Sequence, residues 1–344
     1  MNQQELNMHL MKYAYSKRSG KSKVNYSGLK NQNLDHVIIK NRNLTGITFQ
    51  NSSLCFATIS NCNLTDVSFE NTNCKNIIFR NCIFNGVDFR NANLVGSSIY
   101  KCNTVDEASG KVYFVKENAN PPKFDGTNLD NATIDNSSFI HSNIKNTSMK
   151  GVHIQSVNFD HSNLVNVDLS NSNLVGLFLR DSKCEKVNAT YGDFVGSQIS
   201  GTIVNCDFSR SKFKPSENNI QCSLRGQVHN STLQHICFSS CQLEGVSFNS
   251  SNLDYSDFNK CGLQYASLNE SSLKYARFCG GNLRRSKTRN CILDYSNFIN
   301  VDLRQAIFKE TSLDNSNFEN CKNINYGYLG EVNNILSKDA SILL

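Results

Sequence analysis

From Ser231 to Cys321 every fifth residue is large and apolar: Leu233, Phe238, Leu243, Phe248, Leu253, Phe258, Leu263, Leu268, Leu273, Phe278, Leu283, Leu293, Phe298, Leu303, Phe308, Leu313 and Phe318, with only Thr288 out of line. Two residues before each stands something small or β-branched, as at Ser231, Ile236, Cys241, Val246 and Ser251, and the residue between is mostly polar. Such a step suits neither the period of a helix nor the alternation of a strand, so both amphipathic readings fail. Internal repetition is what remains.

The blocks SNLDYSDFNK (251–260) and VDLRQAIFKE (301–310) resemble the pentapeptide-repeat family, whose pattern is a small residue, Asp or Asn, Leu or Phe, and two polar residues. The resemblance implies an all-β fold, a right-handed quadrilateral parallel β-helix, or solenoid, with one pentad per face and about twenty residues per coil. Residues one coil apart would then stack at the ladder spacing of roughly 4.8 Å. Phe238, Phe258, Phe278, Phe298 and Phe318 would form one internal column, with Phe248, Leu268, Thr288 and Phe308 opposite and leucines on the two remaining walls.

The repeat also divides the chain. Residues 1–24 precede it and read as a basic polar leader or an N-terminal cap; Leu6, Leu10, Tyr13 and Ala14 have helical spacing, and a short helix there would cover the open edge of the first coil. Residues 25–104 form a first β-helix block, in which Asn41, Asn51, Asn61, Asn71, Asn81 and Asn91 recur every ten residues at corners, where Asn tolerates left-handed backbone and can bond along the stack. Residues 105–123 break the pattern and read as a projecting loop carrying Tyr113 and Phe114; the step from Thr104 to Phe124 is twenty, so the register should survive. Block two spans 124–213, with one short face between Ile199 and Phe208, and 214–230 reads as a second loop leaving from a different wall. Block three spans 231–321, and 322–344 reads as a C-terminal cap, with a short helix after Gly330 and an apolar end, Ile342, Leu343 and Leu344, that should dock on the last coil, a second copy or a further domain.

Composition changes this picture little. A chain of 344 residues would ordinarily split into globular domains, but a solenoid grows by adding coils. The 39% hydrophobic content, 3 Pro and absence of Trp fit a thin core under a large polar surface, and a net charge of +6 permits acidic partners without requiring them. There is no apolar run of secretory or membrane-spanning length, so the expected location is the bacterial cytoplasm, with export to a host cell without a cleaved signal peptide left open. Of 14 cysteines, Cys62, Cys82, Cys102, Cys206, Cys241, Cys261, Cys291 and Cys321 occupy the small inward position and Cys74 and Cys184 the large central one, where they should act as compact apolar thiols.

No nucleophile elbow, phosphate loop, zinc-protease helix or dinucleotide fingerprint occurs, so neither a catalytic residue nor a cofactor is expected. His141, His161 and Asp181 stand twenty apart at one corner, but their separation is loose and further ligands are missing, so a surface ladder is a better account than a metal. The candidate binding surface lies around Leu273–Leu303. There Lys274, Arg277, Arg284, Arg285, Lys287 and Arg289 come with no acidic residue between Glu270 and Asp294, Arg304 and Lys309 should stack above Arg284 and Arg289, and Tyr255, Tyr275 and Tyr295 should form an outer column. Basic residues interleaved with aromatics suit a protein or a nucleic acid; a solvated repeat surface is the plainer account.

The expected function is that of a non-enzymatic, rigid protein-interaction scaffold. The resemblance implies three finer branches: effectors that enteric bacteria inject into host cells by a type III system, which an Asn/Ser/Lys-rich chain resembles in character; the substrate-binding β-helix of a HECT-like bacterial ubiquitin ligase, here lacking its catalytic lobe; and DNA-mimicking modulators of type II topoisomerases, which are acidic and dimeric and from which a charge of +6 departs. Direct nucleic-acid binding through Arg284, Arg285 and Arg304 and a homodimer through the C-terminal cap stay open.

Overall fold

A computed structural model describes residues 1–18, 29–103, 122–218 and 220–322, which fall into two compact units, Met1–Asp168 and Leu169–Leu344. In both, each position of the pentad has a fixed task. Around Leu253, the Ser256 amide donates to the Leu253 carbonyl at 3.2 Å and closes a β-turn whose third residue, Tyr255, has φ 61°. A positive φ there is what a type II turn demands. Asn252 Oδ1 accepts the Asp254 amide at 3.1 Å, which is why Asn or Asp precedes the central Leu or Phe. The inward Ser256 hydroxyl donates to the Leu233 carbonyl, one coil away, at 3.1 Å. A small inward residue thus leaves room for the large side chains and ties one coil to the next.

Unit 1 opens with a helix, α1 (Gln3–Arg18), started by a reciprocal cap: Asn2 Oδ1 accepts the Glu5 amide at 2.9 Å and Glu5 Oε2 accepts the Asn2 amide at 2.8 Å. Leu6, Leu10 and Tyr13 are buried, and Tyr13 donates its hydroxyl to the Thr45 carbonyl. Gln3 receives the Ile38 amide at 2.7 Å and donates to the Ile38 carbonyl at 2.9 Å, so its side chain completes the hydrogen bonding of an otherwise open sheet edge.

The strands of unit 1 are β1 (Ile38–Lys40), β2 (Thr58–Ser60), β3 (Ile78–Arg80), β4 (Ser98–Tyr100), β5 (Thr133–Asp135), β6 (Asn143–Lys145), β7 (His153–Gln155) and β8 (Asn163–Val165). β1, β2, β3, β4, β5 and β7 pair in parallel in that order along one wall, and β6 pairs with β8 on another. Ile39, Ile59, Phe79 and Ile99 stack twenty residues apart, but Ile99 is followed by Ile134, thirty-five residues on. The expected register across the interruption is therefore corrected. Phe124 stands over Phe89, with ring centroids 5.6 Å apart, and Lys123, assigned to the loop, bridges Asp88 and Asn143. The extra residues enter between two faces of one coil. Residues 104–121, with Tyr113 and Phe114, lie outside the described residues.

In unit 2 the strands are β9 (Asn173–Val175), β10 (Phe178–Glu185), β11 (Gln198–Val204), β12 (Ser223–His229), β13 (Lys287–Arg289) and β14 (Ile307–Lys309). β10, β11 and β12 pair in parallel, as do β13 and β14. β12 occupies the second half of the span 214–230 that read as a loop, and its Leu224 and Val228 are buried. The repeat thus resumes before Leu233, which stands one coil beyond Phe208, as the 2.8 Å bond from the Phe208 amide to the Thr232 carbonyl shows. Beyond this point the core is regular: Phe238, Phe258, Phe278, Phe298 and Phe318 stack with centroids 5.4, 5.0, 4.7 and 4.6 Å apart. Thr288, the one polar residue in the central series, is buried and donates to the Ile307 carbonyl at 3.0 Å. Residues 323–344, with the expected capping helix and apolar end, lie outside the described residues.

All 14 cysteines are free. Those at the small inward position do more than fill space: Cys261, Cys291 and Cys321 donate to the carbonyls of Phe238, Leu268 and Phe298 at 2.7, 2.7 and 2.8 Å, the bond that serine makes elsewhere. Burial raises the thiol pKa to about 12 at Cys261 and about 11 at Cys291.

Candidate interaction surface

The third turn position points outward at a corner, so residues one coil apart form a vertical ladder there. In unit 2 one corner carries Tyr255, Tyr275 and Tyr295, with ring centroids 4.9 Å apart at both steps and planes within 5° and 9° of parallel. His235 extends the stack at 4.8 Å. Sequence reasoning missed His235, although it stands one coil before Tyr255. The tyrosines remain 43–51% exposed. Their ring faces are turned to one another, so what they offer outward is a ridge of edges and phenolic hydroxyls.

Carboxylates predominate on the flanks. On one side Asp254, Lys274, Asp294 and Asp314 follow one another, with Asp254 Oδ1 accepting the Lys274 amide at 2.9 Å and Asp294 Oδ1 the Asp314 amide at 3.1 Å. On the other, Arg277 is paired with Asp257 at 2.7 Å, and that hydrogen bond raises the pKa of its guanidinium.

The remaining predicted cations stand on other walls. β13 and β14 set Arg289 beside Lys309 in register, and the 3.0 Å bond from the Arg285 amide to the Arg304 carbonyl brings Arg284, Arg285 and Arg304 to the adjoining face. Arg285 lies over the Tyr265 ring at 5.6 Å, donates to its hydroxyl at 3.0 Å and to Gln305 at 2.6 Å. Tyr265 was also missed, although it precedes Arg285 by one coil. Arg304 grips Asp302 through Nε and Nη2 at 2.9 and 2.5 Å, which holds the Asp302 carboxyl below its usual range. Basic and aromatic residues that read as one patch therefore occupy separate edges: Tyr255, Tyr275, Tyr295 and Arg277 at one, and Arg284, Arg285, Arg289 and Arg304 at another.

His141 and His161 stack in unit 1 at 5.1 Å as a surface ladder, and among the described residues no group of three or more His, Cys, Asp or Glu is placed to hold a metal. No described helix is long and apolar enough to cross a membrane.

Comparison with known proteins agrees with this architecture. Among curated proteins none matches the chain. Of solved structures, it is similar to HetL, a pentapeptide repeat protein of the cyanobacterium Nostoc sp. strain PCC 7120 involved in heterocyst differentiation regulation, at 16% identity over 87% of this chain and 93% of that one, TM-score 0.22. It is similar to QnrB1, a plasmid-mediated fluoroquinolone resistance protein, at 17% identity over 75% and 94%, TM-score 0.22. A pentapeptide repeat protein of the Arabidopsis thaliana thylakoid lumen is 20% identical over 33% and 77%, TM-score 0.23. With identities of 16–20% and TM-scores of 0.22–0.23, these three likenesses carry no conclusion about this chain. The profile of the Pentapeptide repeats family, by contrast, matches in 8 copies over residues 33–71, 62–99, 153–183, 241–285 and 282–320, more than half of the chain. With the coil register and the turn chemistry of each pentad, that match makes the chain a member of the pentapeptide-repeat family.

Proposed function

We propose that this chain is a non-catalytic interaction scaffold whose contact edge is the aromatic ridge of unit 2, read by a protein partner. One observation carries the reading: His235, Tyr255, Tyr275 and Tyr295 lie 4.8–4.9 Å apart, face to face and half exposed. A base inserted between two rings needs a slot of roughly 6.8 Å, twice the base-pair rise, so the stack is closed to single-stranded nucleic acid. A protein surface, however, can pack against ring edges and bond the hydroxyls. The rings are already immobilised, so little side-chain entropy is lost on contact, and Tyr is enriched among residues that dominate binding energy. Asp254, Asp257, Asp294 and Asp314, against Lys274 and Arg277, favour a partner with basic side chains.

The test compares the full chain with a variant carrying Tyr255→Ser, Tyr275→Ser and Tyr295→Ser, after the partner is identified by cross-linking. Affinity for the purified partner should fall by more than about a hundredfold, the loss of one or two dominant contacts, while the circular dichroism spectrum stays unchanged. Undiminished binding by the folded variant would remove the reading.

A second reading, modulation of a type II topoisomerase, is favoured by the column Asp254, Lys274, Asp294 and Asp314 beside the ridge, three carboxylates to one ammonium; it draws more support than an injected effector or a HECT-like partner lobe, for which no described residue speaks. It predicts inhibition or protection in a supercoiling assay that Asp294→Asn with Asp314→Asn would weaken.

A further inference from the structure

The first coil has no coil before it, and α1 covers its open edge without filling it. Gln3 clasps the helix to the Ile38 backbone, and Tyr13 clasps it to the Thr45 carbonyl. Between the helix and β1 lies a hollow of about 310 Å³, lined by Asn7 and Leu10 of the helix and by Ile38, Lys40 and Arg42 of the coil. Leu10 is buried, whereas Ile38 stays 50% exposed. The hollow thus has an apolar side that the fold leaves half uncovered.

Arg42 stands where later coils carry cysteine. Bridges from Asn43 through Asn63 and Ile83 to Asn103 put it in one column with Cys62, Cys82 and Cys102. Side chains at that inward position lean on the coil before, as Cys62 does when it donates to the Ile39 carbonyl at 3.7 Å. Arg42 has no coil before it, so the same direction carries its guanidinium into the space under α1 and leaves it exposed. Lys40 reaches the hollow from the outward side of β1. Among the described residues neither side chain has a carboxylate or hydrogen-bond partner. The acidic residues before Asp66 are Glu5 and Asp35, and both are spent: Glu5 on the Asn2 amide, Asp35 on the Ser53 hydroxyl and the Cys55 amide. Asn7 gives its Oδ1 to Gln3 Nε2 at 3.3 Å and keeps its own amide hydrogens. Two cations and an amide donor therefore meet an apolar patch with no negative charge among the lining residues.

We propose that this hollow binds a small amphiphilic carboxylate, its head between Lys40 and Arg42 and its apolar body on Ile38. A guanidinium fork matches a carboxylate in geometry and charge, and Asn7 donates to an oxygen left over. The head also offsets the repulsion of two like charges at one rim. An apolar body removes the open face of Ile38 from water, which a bare anion does not. The assignment does not depend on the aromatic ridge of unit 2.

Calorimetric titration of the full chain with octanoate, acetate and octanol tests the assignment by separating head from body. Octanoate should bind saturably, one to one, and about tenfold or more tighter than either, since acetate lacks the body and octanol the charge. Arg42→Gln should weaken octanoate about tenfold or more, the loss expected of one charge-assisted bond, with the circular dichroism spectrum unchanged. Lys40→Gln, on the outward face of β1, should weaken it as well. Ile38→Ser, which keeps the backbone that Gln3 clasps, should narrow the gap between octanoate and acetate. Arg284→Gln, at the basic edge of unit 2, should leave octanoate binding nearly unchanged. The proposal is overturned if octanoate does not saturate at millimolar concentration, or if acetate or octanol equals it. It is overturned equally if the folded Arg42→Gln and Lys40→Gln variants bind like the native chain, or if Arg284→Gln loses as much as they do.

Discussion

At the same turn position unit 1 stacks asparagines and unit 2 stacks rings. Asn41, Asn61 and Asn81 pass a side-chain hydrogen bond from coil to coil at 3.1 and 3.0 Å, whereas His235, Tyr255, Tyr275 and Tyr295 lie face to face. The residue itself has a like φ, 54°, 51° and 53° at the three asparagines and 61°, 59° and 60° at the three tyrosines, although the asparagines follow β1, β2 and β3 and the tyrosines sit in hydrogen-bonded turns. Among the described residues with positive φ are Asn, Asp, Ser, His, Phe, Tyr, Lys, Arg, Glu, Gln and Gly, and no Val, Ile or Thr. Two heavy atoms on Cβ crowd the left-handed region, so the corner disfavours branching while it admits both amides and rings. An asparagine ladder spends its donors and acceptors within itself. A ring stack spends its faces and keeps hydroxyls and edges for a partner.

The cores should not share this difference. Phe69 lies between Phe49 and Phe89 at 5.1 Å on either side, and Phe278 between Phe258 and Phe298 at 5.0 and 4.7 Å. Phe69→Ala and Phe278→Ala should each cost about 3–5 kcal/mol in urea unfolding. A cost below about 1 kcal/mol at one of them would mean that the two stacks are not equivalent.

Exchanging the corners is the next smaller effect. Tyr275→Val loses the stack and puts a β-branched residue in the left-handed region, for about 1–3 kcal/mol. Tyr275→Asn keeps a residue at ease there and should cost about 1 kcal/mol or less. Asn61→Tyr should cost as little, since the freed groups of Asn41 and Asn81 reach water. Equal losses for Val and Asn at position 275, by the same urea titration, would show that the turn sets no limit on branching.

Thiol chemistry follows the same division between inward and outward positions. Cys55 in unit 1 and Cys237 and Cys279 in unit 2 are partly exposed on walls; at the inward position Cys62 and Cys206 are buried and Cys321 is partly exposed, with burial raising the pKa of each of these three to about 11. Only a thiolate attacks a maleimide, so near neutral pH the folded chain should be labelled at Cys55, Cys237 and Cys279, and at the inward cysteines only after unfolding. Mass spectrometry of labelled peptides checks this, and early modification of Cys62 or Cys206 would contradict the inward assignment.

The coil, its apolar columns and the asparagine corners were legible because each rests on a fixed spacing: Phe258 is found over Phe238 and Asn61 over Asn41 by counting alone. Counting failed where residues were inserted. Asn103 and Lys123 are twenty apart, yet Asn103 stands over Ile83 and Lys123 over Asp88, on neighbouring faces, since the chain advances thirty-five residues per coil there and the extra fifteen are a whole number of pentads. Arg277 and Arg284 are seven apart in sequence and were read as one patch, but a pentad turns a corner between them. The role of inward cysteine as a donor was not legible either, because its acceptor, such as the Phe238 carbonyl for Cys261, lies one coil away in the backbone.

The smallest difference concerns two matched ion pairs. Arg90 Nε and Nη2 reach Asp88 at 2.9 and 2.7 Å in unit 1, and Arg304 reaches Asp302 in the same fork in unit 2. Burial by itself would raise the pKa of Asp88, but the hydrogen bonds and charge of Arg90 outweigh it and the net shift is downward; at Asp302 the Arg304 hydrogen bond is the leading cause. Both carboxyls therefore have depressed pKa values in the folded chain. Their contribution is fully present above the ordinary carboxylate range and is lost as pH falls through the depressed value. Exposed pairs contribute little, so Asp302→Asn should leave stability near neutral pH almost unchanged and flatten only its decline in acid. Asp88→Asn should flatten that decline by a different amount, because Glu70 also approaches Arg90, at 3.9 Å, and retains part of the attraction when Asp88 is neutral. Urea unfolding of both variants across the acid range measures the contrast, and an unflattened decline in each would show that neither fork contributes to acid sensitivity.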